Sequence, residues 1–147
     1  PMKPELIDLY LSECERLGHQ PRTYFRPTPG MPLAVHLCED PDAGWDAIAP
    51  HAVHVITEYA KWAAAEGDDS SSPFKGMTDP AVLRQVGMFA AMTPDQLIER
   101  VNAMPDGINI GFQPLLGGLS PEEGWKSLHL LEKTMPRLRA AMAAKAA

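Results

Sequence analysis

Three short apolar segments are each followed by the start signals of a helix, and this order constrains the fold more than any other feature. The segments cover 32–38, 87–92 and 107–112, and the helix starts after them are Asp40-Pro41, Thr93-Pro94 and Ser120-Pro121. Each start places a capping side chain before a proline at the first helical position. Strands that alternate with helices pair in parallel, and right-handed crossovers place the helices on one side. The sequence therefore predicts an α/β fold in the order α, β, α, short α, β, α, β, α.

The second helix is predicted to be long and amphipathic. Its apolar residues recur at steps of three and four, at Trp45, Ile48, Ala52, Val55, Tyr59 and Trp62. This spacing predicts one buried stripe that is rich in aromatic side chains. Pro50 falls inside the helix and is expected to kink or split it, because proline donates no backbone hydrogen bond.

The remaining helices carry their own start and stop signals. The first is predicted over 4–18, with Leu6, Tyr10, Cys14 and Leu17 on one face. A short helix is predicted to begin at the cap Thr78, and another at Thr93. The last is opened by a capping box at Ser120 and runs to about residue 143, with Pro136 expected to bend it or end it early. Its predicted buried side carries Trp125, Leu128, Leu131, Met135 and Leu138.

The first and last predicted strands each have one bulky face and one small or polar face. The bulky faces carry Leu33, Val35, Leu37, Ile108, Ile110 and Phe112, and the opposite faces carry Ala34, His36, Cys38, Asn109, Gly111 and Gln113. The bulky face is expected to meet the helices. A small and polar face leaves room for a ligand inside a barrel, whereas an ordinary barrel interior is filled with branched apolar residues. An open two-layer sheet with one wet face fits the same pattern equally well.

Composition limits the class of protein. The chain has 147 residues, which suits a single domain over 1–147. Its net charge of -6 argues against binding to nucleic acid or to an anionic membrane surface. No apolar run approaches the length of about 18 residues that a membrane span needs. The two cysteines have no metal-like spacing, so a reduced, cytoplasmic protein is expected.

A metal site is considered on the second helix and is not expected. His51, His54 and Glu58 fall at i, i+3 and i+7, so they share one helical side. Two histidines and a carboxylate are zinc-ligand types. No ligand from a second element can be named, however, and a solvated helix flank is the favoured interpretation.

Several short motifs occur together along the chain. They are the opening Glu39-Asp40-Pro41 with Trp45, the pair Tyr59 and Trp62, the helix start Thr93-Pro94-Asp95, the turn Pro114-Leu115-x-Gly117-Gly118-Leu119-x-Pro121, and Trp125 with Pro136. In combination they resemble the C-terminal part of the luciferase-like monooxygenases, which are flavin-dependent enzymes with a (β/α)8 TIM barrel. The similarity extends from about Glu5 to Arg139. The turn is fairly specific in combination with the other motifs, and each motif is weak by itself.

The resemblance implies a partial barrel and a function that the chain does not perform alone. A full barrel takes about 250 residues, so this chain is about 100 residues short and corresponds to the last three strand–helix units. The implied parent is an oxidoreductase that acts with O2 on a small organic substrate. The implied cofactor is FMN, with a deazaflavin as the alternative, held mostly by upstream strands and loops. The implied partners are the substrate and the upstream barrel half.

The expected pocket lies at the carboxyl ends of the strands, where barrels bind their ligands. Its expected lining consists of His36, Asn109, Gln113, Leu116, Gly117 and Gly118. The two glycines would let a ligand approach the backbone closely, or they merely allow the turn. No catalytic acid or base is assigned.

A second hypothesis assigns no chemistry to the chain. Parallel sheets are normally covered on both faces, and unpaired strand edges invite association. A stand-alone, non-catalytic interaction module that pairs with itself as a homo-oligomer would satisfy both conditions. Gel filtration and melting behaviour separate this module from an incomplete barrel.

Overall fold

The structure is a computed structural model that describes residues 4–22, 32–65, 76–104 and 110–145. The chain separates into two compact units, which cover Pro1–Met31 and Pro32–Ala147. The first unit contains helix α1, over Pro4–Arg16, which ends before Gly18 at a positive φ of 67°. Its buried side chains are Ile7 and Cys14. The face predicted from spacing is otherwise turned outward, with Leu6, Tyr10 and Leu17 exposed.

The second unit is a mixed α/β structure with parallel strands, as the alternation predicts. Its elements are β1 (Ala34–Leu37), α2 (Pro41–Ala65), α3 (Pro80–Val86), β2 (Phe89–Met92), α4 (Pro94–Ala103), a 3-10 turn (Leu116–Gly118) and α5 (Pro121–Lys145). Strands β1 and β2 are parallel, with Ala34 opposite Phe89 and Leu37 opposite Met92. The helices therefore follow the strands in the predicted order.

The third predicted strand is represented by a single bridge. Its residues 107–109 lie outside the described part of the chain. Phe112 forms a parallel bridge with Val35, and the backbone N–H of Val35 donates to the carbonyl of Gly111 at 2.9 Å. Strand β1 therefore lies between β2 and the Phe112 segment. Three consecutive strands of a barrel wall would instead place the second of them in the middle.

The helices cover both faces of β1, and not one side as the crossover rule predicted. On one face, Ala34 and Phe89 pack with side chains of α2 and α3. On the other face, Val35, Leu37 and Met92 pack with side chains of α4 and α5. The face predicted to be open is thus occupied by α2. The cause is the small size of the facing residues, because a Cβ at Gly44 would meet the Sγ of Cys38 and lie 3.2 Å from the Cβ of Ala91.

Helix α2 runs through Pro50 without interruption, so the predicted split does not occur. The first half of the predicted stripe is buried, at Trp45, Ile48 and Ala52. Farther along, the buried position is Ile56, and Tyr59 and Trp62 are exposed. The predicted stripe holds only where α2 faces the sheet, because burial there depends on what the helix packs against.

The helix starts follow the sequence signals closely. The side chain of Asp40 accepts from the backbone N–H groups of Asp42 and Ala43 at the start of α2. Thr93 and Gln96 form a capping box at α4. Asp79, and not the predicted Thr78, caps α3 by accepting from Ala81 N at 2.8 Å.

Helix α5 departs from the prediction in its length and its buried side. It continues through Pro136 to Lys145. Trp125, predicted to be buried, is 58% exposed. The buried positions are Gly124, Ser127, Thr134 and Leu138.

Candidate functional site

Helix α5 contacts the carboxyl ends of the Phe112 segment and of β1, and then the first turn of α4, which follows β2. Near its start, a Cβ at Gly124 would meet the carbonyl oxygen of Pro114, just after the Phe112 segment. One turn later, Ser127 Oγ accepts from the backbone N–H of Leu37, the last residue of β1, at 2.8 Å. Arg137 then pairs with Asp95, three residues beyond β2, at 2.6 Å. The carboxyl edge of the sheet is therefore closed on one side by α5.

The hydrogen bond from Leu37 N–H to Ser127 Oγ ends the strand pairing between β1 and the Phe112 segment at this edge. Alternate residues of a strand direct their N–H groups to the same neighbour, so Leu37 N–H is expected to follow Val35 N–H toward the Phe112 segment. It donates to Ser127 instead, and the described ladder on this side ends at Gly111. Ligands of open α/β sheets bind in a crevice outside the carboxyl ends, where the strand order reverses direction. The strand order reverses at β1, because β2 and the Phe112 segment, which both follow β1 in the chain, lie on opposite sides of it.

A cavity of about 450 Å³ lies at this edge. Its walls are the end of β1, the first turns of α2 and one side of α5. The apolar part of the lining consists of Leu37, Ala43, Gly44, Ala47 and Leu130. This volume is within the range of about 300–1,000 Å³ that is usual for small-molecule pockets.

His36 is the most buried polar side chain of the cavity wall, with 7% of its surface exposed. Its imidazole makes no hydrogen bond to any described residue. In the part of the chain that the structure describes, no fully enclosed side-chain nitrogen or oxygen lacks a hydrogen bond, so the ring nitrogens of His36 are accessible from the cavity. Burial lowers the pKa of His36 below its ordinary value, and the nearby Glu123 carboxylate opposes this shift in part. A neutral imidazole presents one N–H donor and one acceptor nitrogen. His36 can therefore both donate to and accept from a molecule in the cavity.

Cys38 also lines the cavity but is unsuited to act as a nucleophile. Burial raises the pKa of the Cys38 thiol, and the Asp40 carboxylate raises it further. The thiol donates weakly to the carbonyl of Met92, with 3.8 Å between sulfur and oxygen. The thiolate is the reactive form of cysteine, so a raised pKa makes this side chain inert at neutral pH.

The charged side chains of the cavity wall carry both signs. The Glu123 carboxylate lies 2.6 Å from Lys126 Nζ, and Glu122 lies 3.4 Å from the same nitrogen. The hydrogen bond that Lys126 donates to Glu123 raises the pKa of Lys126. Glu39 and Lys133 are exposed and have no ion-pair partner in the described part of the chain. No sequence pattern groups these α5 residues with β1, although their spacing of three and four places them on one side of a helix.

Of the six residues predicted for the pocket, His36 lines the cavity. Asn109 lies outside the described ranges, and Gln113 is exposed near the Phe112 segment. Leu116 is buried in the cluster that covers the α2 face of the sheet. Gly117 and Gly118 belong to the 3-10 turn. The described structure does not bring these later residues to the cavity with His36.

Gly117 has a packing role that requires glycine. Its φ is 53°, and a Cβ at this position would meet the backbone carbonyl oxygen of His51. The Nδ1 of His51 lies 3.1 Å from the carbonyl oxygen of Gly117, so the turn is bonded directly to α2. Gly118 also has a positive φ, of 85°, but a Cβ there would meet open space.

The three residues of α2 that were considered as metal ligands have separate surroundings. His51 contacts Gly117, and His54 is exposed. Glu58 pairs with Lys61 at 2.7 Å, and this hydrogen bond lowers the pKa of the Glu58 carboxyl. Within the described ranges, no three histidine, cysteine, aspartate or glutamate side chains are grouped to hold a metal ion.

The described residues do not fit the phosphate of a flavin nucleotide. Helix N-termini bind phosphate through free backbone N–H groups. At α2, the N–H groups of Asp42 and Ala43 are already bonded to the side chain of Asp40. At α5, Glu123 N is bonded to Ser120 Oγ, and Gly124 N to Ser120 O. A flavin phosphate would have to be held by other residues.

The chain was compared with models of protein families, with curated proteins and with solved structures, and none of them matches it. Among the described residues, no helix combines the length and the apolar character that are required to cross a membrane.

Proposed function

We propose that this chain is the C-terminal portion of a luciferase-like, flavin-dependent oxidoreductase and that it supplies one wall of the ligand pocket. The observation that carries the proposal is the cavity at the carboxyl end of β1, with the unpaired imidazole of His36 in its wall. Barrels and doubly wound sheets both bind ligands at this end of their strands. The motif resemblance supplies the class of reaction, an oxidation by flavin or deazaflavin with O2.

The proposed architecture is a partial wall in which β1 and the Phe112 segment are neighbouring strands, in a strand order that differs from that of three consecutive strands of an eight-stranded barrel. Their parallel bridge supports this pairing. In the proposed arrangement, β2 lies on the other side of β1 and presents its outer edge to upstream strands. Within the described residues, β2 pairs with β1 only, so this edge is available.

The capped helix starts and the lining of the cavity indicate which part of the proposed enzyme would bind the flavin and which would bind the substrate. The capped N-termini of α2 and α5 leave the flavin phosphate to upstream segments. The substrate would occupy the cavity beside His36, and the apolar lining would exclude water from it. The chain by itself is expected to lack activity, because it does not hold the cofactor.

Flavin binding tests the proposal. The 147-residue chain is titrated with FMN and with riboflavin, and flavin fluorescence is recorded. We expect weak binding with no preference for FMN, because the N–H groups at the starts of α2 and α5 are already hydrogen-bonded within the chain. A protein that includes the in-frame coding sequence upstream of Pro1 is expected to bind FMN tightly. Tight, stoichiometric FMN binding by the 147 residues alone would contradict the proposal, as would an upstream sequence without strand–helix alternation.

A substitution that fills the cavity tests whether the substrate of the proposed flavin reaction binds there. Ala47 lines the cavity, and Ala63 lies farther along the same helix, outside the cavity. In the extended protein, Ala47→Phe is expected to raise KM for the substrate while FMN binding is retained. Ala63→Phe is the matched control and is expected to leave KM unchanged. Equal effects of the two substitutions would mean that the cavity is not the substrate site.

A self-associating module is the second candidate, and one observation favours it. Helix α1 exposes Leu6 and Leu9, and Leu17, just after its end, is exposed as well. Neighbouring exposed apolar side chains of this kind are a feature of protein interaction surfaces. Analytical ultracentrifugation of the 147-residue chain separates the candidates. A cooperatively melting dimer that Leu9→Lys dissociates supports the module. A monomer that binds no partner copy at high concentration rejects it.

A further inference from the structure

The imidazole of His36 lines the cavity and makes no hydrogen bond to a described residue. The residue as a whole is 7% exposed. In the described ranges, no side-chain nitrogen or oxygen is both fully enclosed and without a hydrogen bond, so the ring nitrogens of His36 are accessible. Because His36 lines the cavity, a molecule in the cavity is the available partner for these nitrogens.

The charges around the cavity do not favour a charged ligand of either sign. An anion would meet Glu39, Asp40 and Glu123, and a cation would meet Lys126 and Lys133. Glu123 and Lys126 already neutralise each other, and Asp40 is bonded to the start of α2. Glu39 and Lys133 have no ion-pair partner in the described part of the chain, but both are exposed, so solvent screens their attraction to a ligand. A charged group that enters the apolar part of the cavity would therefore lose hydration without gaining a buried counter-ion.

The rest of the lining is apolar or weakly polar. Leu37 and Leu130 provide branched apolar surface, and Ala43, Gly44 and Ala47 provide the flat side of α2. The neutral thiol of Cys38 adds a small and weakly polar surface. The other uncharged side chain of the described lining that forms strong hydrogen bonds is His129, which is exposed and stacks on Trp125 with 5.6 Å between ring centroids. His36 is therefore the buried one of the two.

We propose that the cavity binds an uncharged, mainly apolar small molecule with one hydroxyl or carbonyl group that is hydrogen-bonded to His36. A hydroxyl can donate to the acceptor nitrogen of the neutral imidazole, and a carbonyl can accept from its N–H. This inference names the substrate class and rests on the proposed ligand-binding role of the cavity. It assigns His36 a positioning role and no chemical step.

Four probes with one common ring test the ligand class: benzyl alcohol, toluene, benzoate and benzylamine. Each is titrated into the full 147-residue chain, and binding is followed by amide and histidine ring NMR signals. Benzyl alcohol is expected to bind best, with shifts at His36, Gly44 and Leu130. Loss of one hydrogen bond should weaken toluene by about two- to twelve-fold. Benzoate and benzylamine are expected to bind at least about ten-fold more weakly than the alcohol.

Substitutions separate the hydrogen bond from the shape of the cavity. His36→Phe is expected to weaken benzyl alcohol by the same two- to twelve-fold and to leave toluene unchanged. His36→Asn keeps a donor and an acceptor and should restore part of the preference for the alcohol. His54→Phe, at an exposed position of α2, is the matched control and should change neither affinity. The His36 signal of the unsubstituted chain gives a readout that does not depend on any variant.

The outcomes distinguish this inference from the proposed function. Stronger binding of benzoate or benzylamine than of benzyl alcohol at the same cavity would overturn the uncharged-ligand inference and leave the ligand-binding role intact. If the unsubstituted chain and His36→Phe bind benzyl alcohol with equal affinity, His36 does not hydrogen-bond the ligand and has no positioning role. Failure of all four probes to shift the cavity signals would overturn both the inference and the proposed ligand site.

Discussion

Helices α2 and α5 each have 25 residues and one internal proline, but they cover the sheet with different surfaces. The buried positions of α2 include Trp45, Ile48 and Ile56, with small residues between them. Those of α5 include the hydroxyl residues Ser127 and Thr134. Because α2 is held by apolar contact, it can fix the position of β1. Because α5 is held partly by hydrogen bonds, it leaves room for a cavity at the same edge.

The largest expected effect is on the apolar side of this comparison. Ile48→Ala removes a side chain that is 1% exposed at the centre of the α2 contact. We expect it to reduce the free energy of unfolding by about 2–5 kcal/mol, because both transfer energy and cavity formation contribute. Leu131→Ala on α5, at a half-buried position, is the matched control and should cost less. Urea denaturation measures both values, and a larger loss at Leu131 would reverse the comparison.

The hydroxyl of Ser127 tests the polar contact of α5. Ser127→Ala leaves the N–H of Leu37 without its acceptor, and we expect a loss of about 1–3 kcal/mol in the free energy of unfolding. Thr134→Val is the control on the same helix. Thr134 Oγ1 donates to Leu130 O, a carbonyl within the helix, so its removal should cost no more than about 0.5 kcal/mol. Equal losses would show that Ser127 has no special role at the strand end.

The pH dependence of stability tests the buried imidazole between the two helices. The pKa of His36 is lower in the folded chain than its ordinary value of 6.5, so the unfolded chain binds the proton more readily. Stability contributed by neutral His36 is therefore present above pH 6.5 and is lost as the pH falls below it. The slope from one proton is at most about 1.4 kcal/mol per pH unit.

His36→Asn should flatten the stability profile just below pH 6.5. His54→Asn, at an exposed position of α2, should leave the profile unchanged and serves as the control. Thermal melts at closely spaced pH values provide the measurement. Identical profiles for the two variants would contradict the buried, neutral imidazole.

The smallest expected effect concerns the far end of α5. The pair of Arg137 and Asp95 is exposed on both sides, so solvent screens its attraction. Arg137→Gln is expected to reduce the free energy of unfolding by about 0–1 kcal/mol, with less effect in high salt. A loss above about 2 kcal/mol would mean that this pair, and not the buried part of α5, holds the helix to α4.

The sequence predicts what local chemistry determines. Caps at Asp40 and Thr93 and the parallel orientation of β1 and β2 follow from short patterns, and the structure has them. Alternation along β1 also identified His36 as a pocket candidate. The middle position of β1 was not predicted, because it depends on which strand the Phe112 segment joins after a long excursion of the chain.

The rest of the site was missed for a related reason. Ser127 and Thr134 are buried because each hydroxyl finds a backbone partner, and hydropathy patterns cannot identify such positions. Trp125 is exposed and stacks on His129, with 5.6 Å between ring centroids, although its spacing matched the buried side. Lys126 and Lys133 line the same cavity as the end of β1 because α5 crosses the strand ends.

The titration of the His36 ring by NMR tests the central claim most directly. The claim is that a neutral imidazole faces a ligand cavity at the carboxyl end of β1. The account predicts a pKa below 6.5 in the free chain and a change in the His36 ring signals when benzyl alcohol is added at neutral pH. A His36 pKa at or above 6.5, with ring signals that the alcohol leaves unchanged, would contradict it.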